Sequence, residues 1–170
     1  MLIDRAEARK NPTKHTLVAL VENKPGVLNR VSSLFRRRNF NIESLAVGET
    51  EDPTVSRMTI VVDASKTNAA LVERNLYKLV NVIDVQDLTT APSIARELAL
   101  IKVRVNDPQK RGELKQVADM FQSKVVDVAK ESVIIEVTGE EDKVDSILRV
   151  LHDYGIMEVV RTGRIAMARG

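Results

Sequence analysis

Cysteine and tryptophan are absent from this 170-residue chain, and aromatic residues of every kind make up only 3% of it. Without cysteine there can be no disulfide, no thiolate metal site and no cysteine nucleophile, a composition that fits a reducing cytosol. The five aromatics are Phe35, Phe40, Phe121, Tyr77 and Tyr154. Four of them fall on or beside predicted helices, so no strand carries the exposed rings on which an RNA-binding sheet stacks bases. No stretch approaches the roughly 18 apolar residues of a membrane span. Charge of either sign is not in excess: 26 basic against 24 acidic residues leave +2, too small a field to recruit nucleic acid or a membrane. Residues 1–14 lack an apolar run and carry Asp4 and Glu7 among their bases. They read as a flexible N-terminal extension rather than a signal or typical transit peptide.

Catalytic and metal-binding sets are also missing. His15 and His152 have no acidic or cysteine partner at ligand spacing. Ser32-Ser33 lies within a helical pattern, without the sharp glycine turn of a nucleophile. The acids of Glu49-Thr50-Glu51-Asp52 lack the spacing and glycine of a calcium loop. Arg36, Arg37 and Arg38 end a helix, where positive charge complements the dipole.

What is present is one pattern, twice. With 44% apolar residues the chain can bury packed cores, and it reads as a soluble globular protein. The first copy opens with a nearly continuous apolar strand, 15–22, as a strand central to a sheet should be. A helix follows with Val27, Leu28, Val31, Leu34 and Phe35 at helical spacing. Strands at 41–47 and 55–62 flank an acidic, turn-rich loop, a helix runs from 67 to 80, and a strand at 82–88 closes the unit. After Pro92 the order repeats. A strand at 98–105 precedes a helix capped by Asp107 with Pro108 in its first turn. Strands at 124–129 and 133–138 join tightly. A last helix begins with capping-box spacing at Thr138 and Glu141 and ends at Gly155, before a strand at 156–160. Each copy is thus β-α-β-β-α-β, an α+β fold of two ferredoxin-like units, each with two helices on one face of a four-stranded antiparallel sheet. The expected domains are 15–91 and 92–170. The bare edges and second face of such a sheet call for pairing, so a homodimer or higher assembly is expected.

The chemistry concentrates where the first strand meets the first helix, at Glu22-Asn23-Lys24-Pro25-Gly26-Val27-Leu28. Pro25 fixes φ, Gly26 admits close approach of a ligand, and the free N–H groups of the next turn carry about half a positive charge, enough for a carboxylate or phosphate. A Pro-Gly turn also serves simply to start a helix. Asn41, at the start of the second strand, would be brought to this turn by a neighbouring copy. Asn23, Asn41 and the N–H groups of Gly26, Val27 and Leu28 would then clamp a zwitterion, an asparagine accepting from an ammonium or donating to a carboxylate. Taken singly, each asparagine reads as a turn or strand-end cap.

The segments 22–31, Asn39-Phe40-Asn41-Ile42-Glu43-Ser44-Leu45, Ser56-Arg57-Met58-Thr59-Ile60, Arg96-Glu97-Leu98-Ala99-Leu100-Ile101-Lys102-Val103 and Arg161-Thr162-Gly163 closely resemble the regulatory (small) subunits of acetolactate synthase. The N-terminal unit of that family is an ACT domain. The resemblance implies a non-catalytic protein that binds and activates a catalytic (large) subunit in branched-chain amino-acid biosynthesis and mediates feedback inhibition by valine or a related amino acid. It implies effector contacts at Asn23, Pro25, Gly26, Val27, Leu28, Asn41 and Ile42, across an interface between ACT domains. Catalytic-subunit contact is implied for Glu49, Thr50, Glu51, Asp52 and Arg57. No cofactor of its own is expected, since thiamine diphosphate, Mg and FAD would belong to the catalytic partner, and the location implied is cytoplasmic. The second unit has Asn106-Asp107-Pro108-Gln109 in place of the Pro-Gly turn, so no amino-acid site is expected there. Rival readings are a stand-alone ACT sensor of another enzyme and an RNA-binding or small catalytic ferredoxin-like domain.

Overall fold

A computed structural model describes residues 14–63, 65 and 67–170. Nearly all of the expected N-terminal extension, residues 1–13, lies outside the described residues. The first unit runs β1 (Lys14–Glu22), α1 (Val27–Arg37), β2 (Ile42–Glu49), β3 (Val55–Asp63), α2 (Ala69–Leu76) and β4 (Val82–Asp87). Its strands pair antiparallel in the order β2-β3-β1-β4, leaving β2 and β4 at the edges. Side chains of a strand alternate between faces. Leu17, Ala19 and Val21 of β1 and Met58, Ile60 and Val62 of β3 therefore share the face on which Val31, Leu34 and Phe35 of α1 and Val72 and Leu76 of α2 pack. Each of the larger side chains, fully buried, contributes about 1.5–3 kcal/mol.

The second unit repeats the order with β5 (Ser93–Arg104), α3 (Pro108–Met120), β6 (Lys124–Val128), β7 (Ser132–Gly139), α4 (Glu141–Gly155) and β8 (Ile156–Arg161). Its path is β6-β7-β5-β8, again antiparallel. The core is Ile101, Val103, Ile135 and Val137 from the sheet against Leu114, Ala118, Val144, Ile147 and Leu151 from the helices. Two ferredoxin-like units are thus present, as the sequence pattern predicts.

Three details differ from the sequence reading. The helix expected over 67–80 spans only Ala69–Leu76, because Asn68 caps its start by accepting from Leu71 N–H and the chain beyond Tyr77 turns through short-range bonds, Lys78 N–H to Asn75 O and Leu79 N–H to Leu76 O. The capping box at Thr138 and Glu141 does not form. Thr138 stays in β7, paired with Leu98, and the helix starts behind Glu140 with no side-chain cap. Gly155 does end α4, at φ 88°.

The third difference concerns Arg164–Gly170. Contacts divide the described chain into residues 14–94 with Arg164–Gly170, and Ala95–Gly163, whereas the sequence reading keeps 92–170 together. Polar anchors explain it. Arg164 N–H donates to Ser44 Oγ (2.9 Å), its guanidinium to Thr16 Oγ1 (2.8 Å), and the Arg57 guanidinium to the Ala166 carbonyl (2.8 Å). Thr16, Ser44 and Arg57 lie on the face of the first sheet that the helices do not cover. The segment forms a short strand, β9 (Ile165–Ala168), and Arg169 N–H donates to the Pro92 carbonyl (2.9 Å).

Candidate functional site

The β1–α1 turn is open at the helix start. Gly26 is the N-cap residue of α1, at φ 85° and ψ −8°, and no side chain caps the helix. A residue with a Cβ pays a steric penalty in this left-handed conformation. A Cβ there would meet nothing within 4 Å, so the requirement is conformational. Val27 N–H has only a long contact to the Lys24 carbonyl (3.4 Å), and Arg30 N–H reaches the Gly26 carbonyl (3.0 Å). Among the described residues nothing accepts from the N–H groups of Gly26, Leu28 or Asn29. Unpaired donors at a helix start attract an anion. Val27 is buried and anchors the turn in the core, while Leu28 is 45% exposed.

Asn23 is committed to a tether. Its Nδ2 donates to Glu49 Oε1 (3.2 Å) and to the Pro53 carbonyl (2.9 Å), and its N–H to the Thr54 carbonyl (2.7 Å). Of its amide, only the oxygen remains for a ligand, and that oxygen can only accept. The β2–β3 loop so tied is itself ordered by Asp52, whose Oδ1 accepts from Thr54 N–H (2.9 Å) and Thr54 Oγ1 (2.7 Å), while Thr50 Oγ1 accepts from Asp52 N–H (3.1 Å). Those bonds from Thr54 hold the Asp52 carboxyl below its ordinary pKa.

Behind the turn lies a charged relay that the sequence reading does not contain. Glu22 N–H donates to the Asn81 carbonyl (2.9 Å), Asn81 Nδ2 to Glu22 Oε2 (2.5 Å), Arg30 Nη1 to Asn81 Oδ1 (2.5 Å) and Lys24 Nζ to Glu22 Oε1 (3.1 Å). The Asn81 bond, then that of Lys24, holds the Glu22 carboxyl below its ordinary pKa. Asn81 is 8% exposed. The one local signal for it is an asparagine between two valines just before a strand.

Asn41 stands at the other end of the sheet. It is exposed, its carbonyl accepts from Asp63 N–H (3.1 Å), and with Asn39, Phe40, Asp63, Ser65 and Thr67 it lines a cleft of about 290 Å³. Ile42, half-buried against the core, pairs with Val62, which pairs with His15 at the beginning of β1. Gly26 follows the end of β1, so the two candidate halves are separated by a strand length of about 23 Å. One copy brings Asn23, Pro25, Gly26, Val27 and Leu28 together and leaves Asn41 and Ile42 apart from them. Among the described residues no group of three or more His, Asp or Glu could hold a metal ion.

A tandem of antiparallel βαββαβ units, the first with an uncapped helix behind a Pro-Gly turn, defines a protein of the ferredoxin-like class whose first unit is of ACT type. The family model described as "AHAS small subunit-like ACT domain" matches residues 17–84, and that of "Small subunit of acetolactate synthase" matches 96–170. A probable acetolactate synthase small subunit of Archaeoglobus fulgidus is 52% identical over 92% of this chain and 98% of its own. The acetolactate synthase small subunit of Mycolicibacterium smegmatis is 51% identical over 92% and 91%. The crystal structure of the small subunit from Thermotoga maritima superposes with a TM-score of 0.84 at 40% identity, covering 92% of this chain and 98% of that one. The chain belongs to the acetolactate synthase small-subunit family, the regulatory, non-catalytic subunits of an enzyme of branched-chain amino-acid biosynthesis.

Proposed function

We propose that this chain binds and activates the thiamine-diphosphate-dependent catalytic subunit of acetolactate synthase in the cytoplasm, and that valine or another branched-chain amino acid, bound between two copies, reverses the activation. The observation that carries the effector site is the uncapped start of α1 at Gly26. Its other half requires a second copy. β2 is an edge strand that begins beside Asn41 and ends, at Glu49, beside Asn23. Antiparallel pairing of β2 with β2 of a second copy would bring Asn41 and Ile42 of one to the Pro25-Gly26 turn of the other. Backbone donors at the turn would take the effector carboxylate, asparagine oxygens its ammonium, and Leu28 and Ile42 its aliphatic side chain.

The tether at Asn23 supplies a route for the signal. A residue of the effector turn holds the Glu49–Thr54 loop, and this loop with Arg57 is the proposed contact for the catalytic subunit. Effector binding and catalytic-subunit binding need only favour different positions of that loop. A coupling of about 1–3 kcal/mol, or 5- to 150-fold, then suffices.

Acetolactate formation from pyruvate by the cognate catalytic subunit, with and without this chain and with and without valine, tests the reading. Activation that valine reverses supports both parts; activation that valine, leucine and isoleucine all leave unchanged removes the effector site. Arg57→Glu is expected to abolish co-elution of the two subunits. Because Arg57 also donates to Ala166, its melting temperature is followed alongside, and co-elution by a folded variant would remove Arg57 from the contact.

A further inference from the structure

One nearly buried side chain spans the β1–α1 turn from behind. Asn81, just before β4, accepts from Arg30 through its oxygen and donates to Glu22 through its nitrogen, both at 2.5 Å. Glu22 closes β1 ahead of the turn. Arg30 lies in the first turn of α1 behind it, its own N–H bonded to the Gly26 carbonyl. Asn81 therefore joins the two ends of the turn. A direct Glu22–Arg30 ion pair would draw those ends together; the interposed neutral amide keeps them one amide apart, and each of its ends meets a charge of fitting sign.

We propose that Asn81 is a positioning residue of the effector site, holding the β1–α1 turn at the width at which the N–H groups of Gly26, Leu28 and Asn29 stand open to the carboxylate of a small amino acid. The inference rests on the effector reading above. It assigns Glu22 and Arg30 as the two posts between which Asn81 is strung, and Lys24 as a second partner that keeps Glu22 oriented through Oε1. Asn81 itself touches no ligand: its amide is used on both sides, and it acts through the backbone it spaces.

The test is L-valine binding to the full chain by titration calorimetry, with the melting temperature of each variant as a folding control. Asn81→Asp keeps the size of the side chain and the bond to Arg30 but sets two carboxylates against each other at Glu22. The dissociation constant is expected to rise at least about tenfold, the usual effect of losing a hydrogen bond to a charged group. Combining Glu22→Gln with Asn81→Asp exchanges donor and acceptor across the same contact. Affinity should return to within about threefold of wild type, because the two positions are coupled. A role in packing alone would not be rescued by the exchange.

Asn41→Ala separates the ways of failing. If it weakens valine binding while Asn81→Asp does not, or if the double variant stays as weak as the single one, the effector site stands and the role of Asn81 is overturned. If the wild-type chain takes up no valine, or Asn41→Ala binds it like wild type, the effector reading falls and this inference falls with it. Should Asn81→Asp fail to fold, Arg30→Met, at an exposed position, takes its place. The same rise of about tenfold is expected, and unchanged binding overturns the proposal.

Discussion

The two units place a helix start in the same topological position and finish it differently. In the second unit Asp107 stands before α3 and its Oδ1 accepts from Lys110 N–H (2.8 Å), with Pro108 following. That helix supplies its own anion. In the first unit Gly26 holds the equivalent place, bent into the left-handed region, and contributes no side chain. The hairpins beside these starts differ in parallel. In the second unit β6 and β7 meet in a tight turn, Ala129 N–H to the Ser132 carbonyl, which α3 grips through Arg111 Nη2 on the Ala129 and Lys130 carbonyls. In the first unit the longer β2–β3 loop is held by Asn23, from the turn itself. With the topology common to both, the units differ in what one leaves unpaired and the other satisfies internally, and the proposed effector site falls on that difference.

The sharpest way to break the contrast is to close the open start. Gly26→Ser adds a hydroxyl where Asp107 has its carboxylate and imposes a Cβ at positive φ, at a cost of about 1–2 kcal/mol. Half-maximal inhibition by valine is expected to move up on the order of 100-fold, as two charge-assisted hydrogen bonds are lost. Inhibition at the wild-type concentration would show that the turn does not hold the effector. The converse change is smaller and purely structural. Asp107→Ala removes the cap of α3 and should lower stability by about 1 kcal/mol, read as a fall in melting temperature, with the valine response unmoved; a changed response would give the second unit a part in effector binding.

Acid should reveal the smallest difference. The Glu22 carboxyl titrates below its ordinary value of 4.5 in the folded chain, through its bonds from Asn81 and then Lys24. A depressed folded pKa makes the contribution complete above the unfolded value and lost as pH falls through the folded one. Wild type should therefore be more stable than Glu22→Gln at pH 6, and the gap in melting temperature should close as the pH is lowered well below 4.5. A gap that stays constant would mean that the carboxylate charge of Glu22 contributes nothing.

Local pattern carried most of this fold. Helical spacing at Val27, Val31, Leu34 and Phe35, alternation at Ile101, Val103 and Val105, and the punctuation at Asp107, Pro108 and Gly155 each depend on neighbours in sequence, and each has its counterpart in the structure. The β1–α1 turn was legible for the same reason. Errors fell where a distant strand decides: Thr138 has the spacing of a cap but is held in β7 by pairing with Leu98, forty positions away. The Glu22–Asn81–Arg30 relay joins residues 59 and 51 positions apart, and no periodicity or motif announces such a meeting. The return of Arg164–Gly170 to the first sheet was hidden likewise, since Arg164 and Thr16 are separated by 148 positions.

That return has a consequence during synthesis. A chain made from its N-terminus emerges at about 5–20 residues per second, so β1 to β4 are available well before Arg164. Until the whole second unit has been translated, Thr16 and Ser44 lack their bonds from Arg164, and Arg57 has no Ala166 carbonyl to meet. Of the two units, the first to be made is thus the last to be finished, since its sheet face gains these bonds only after the chain has been translated through Ala166.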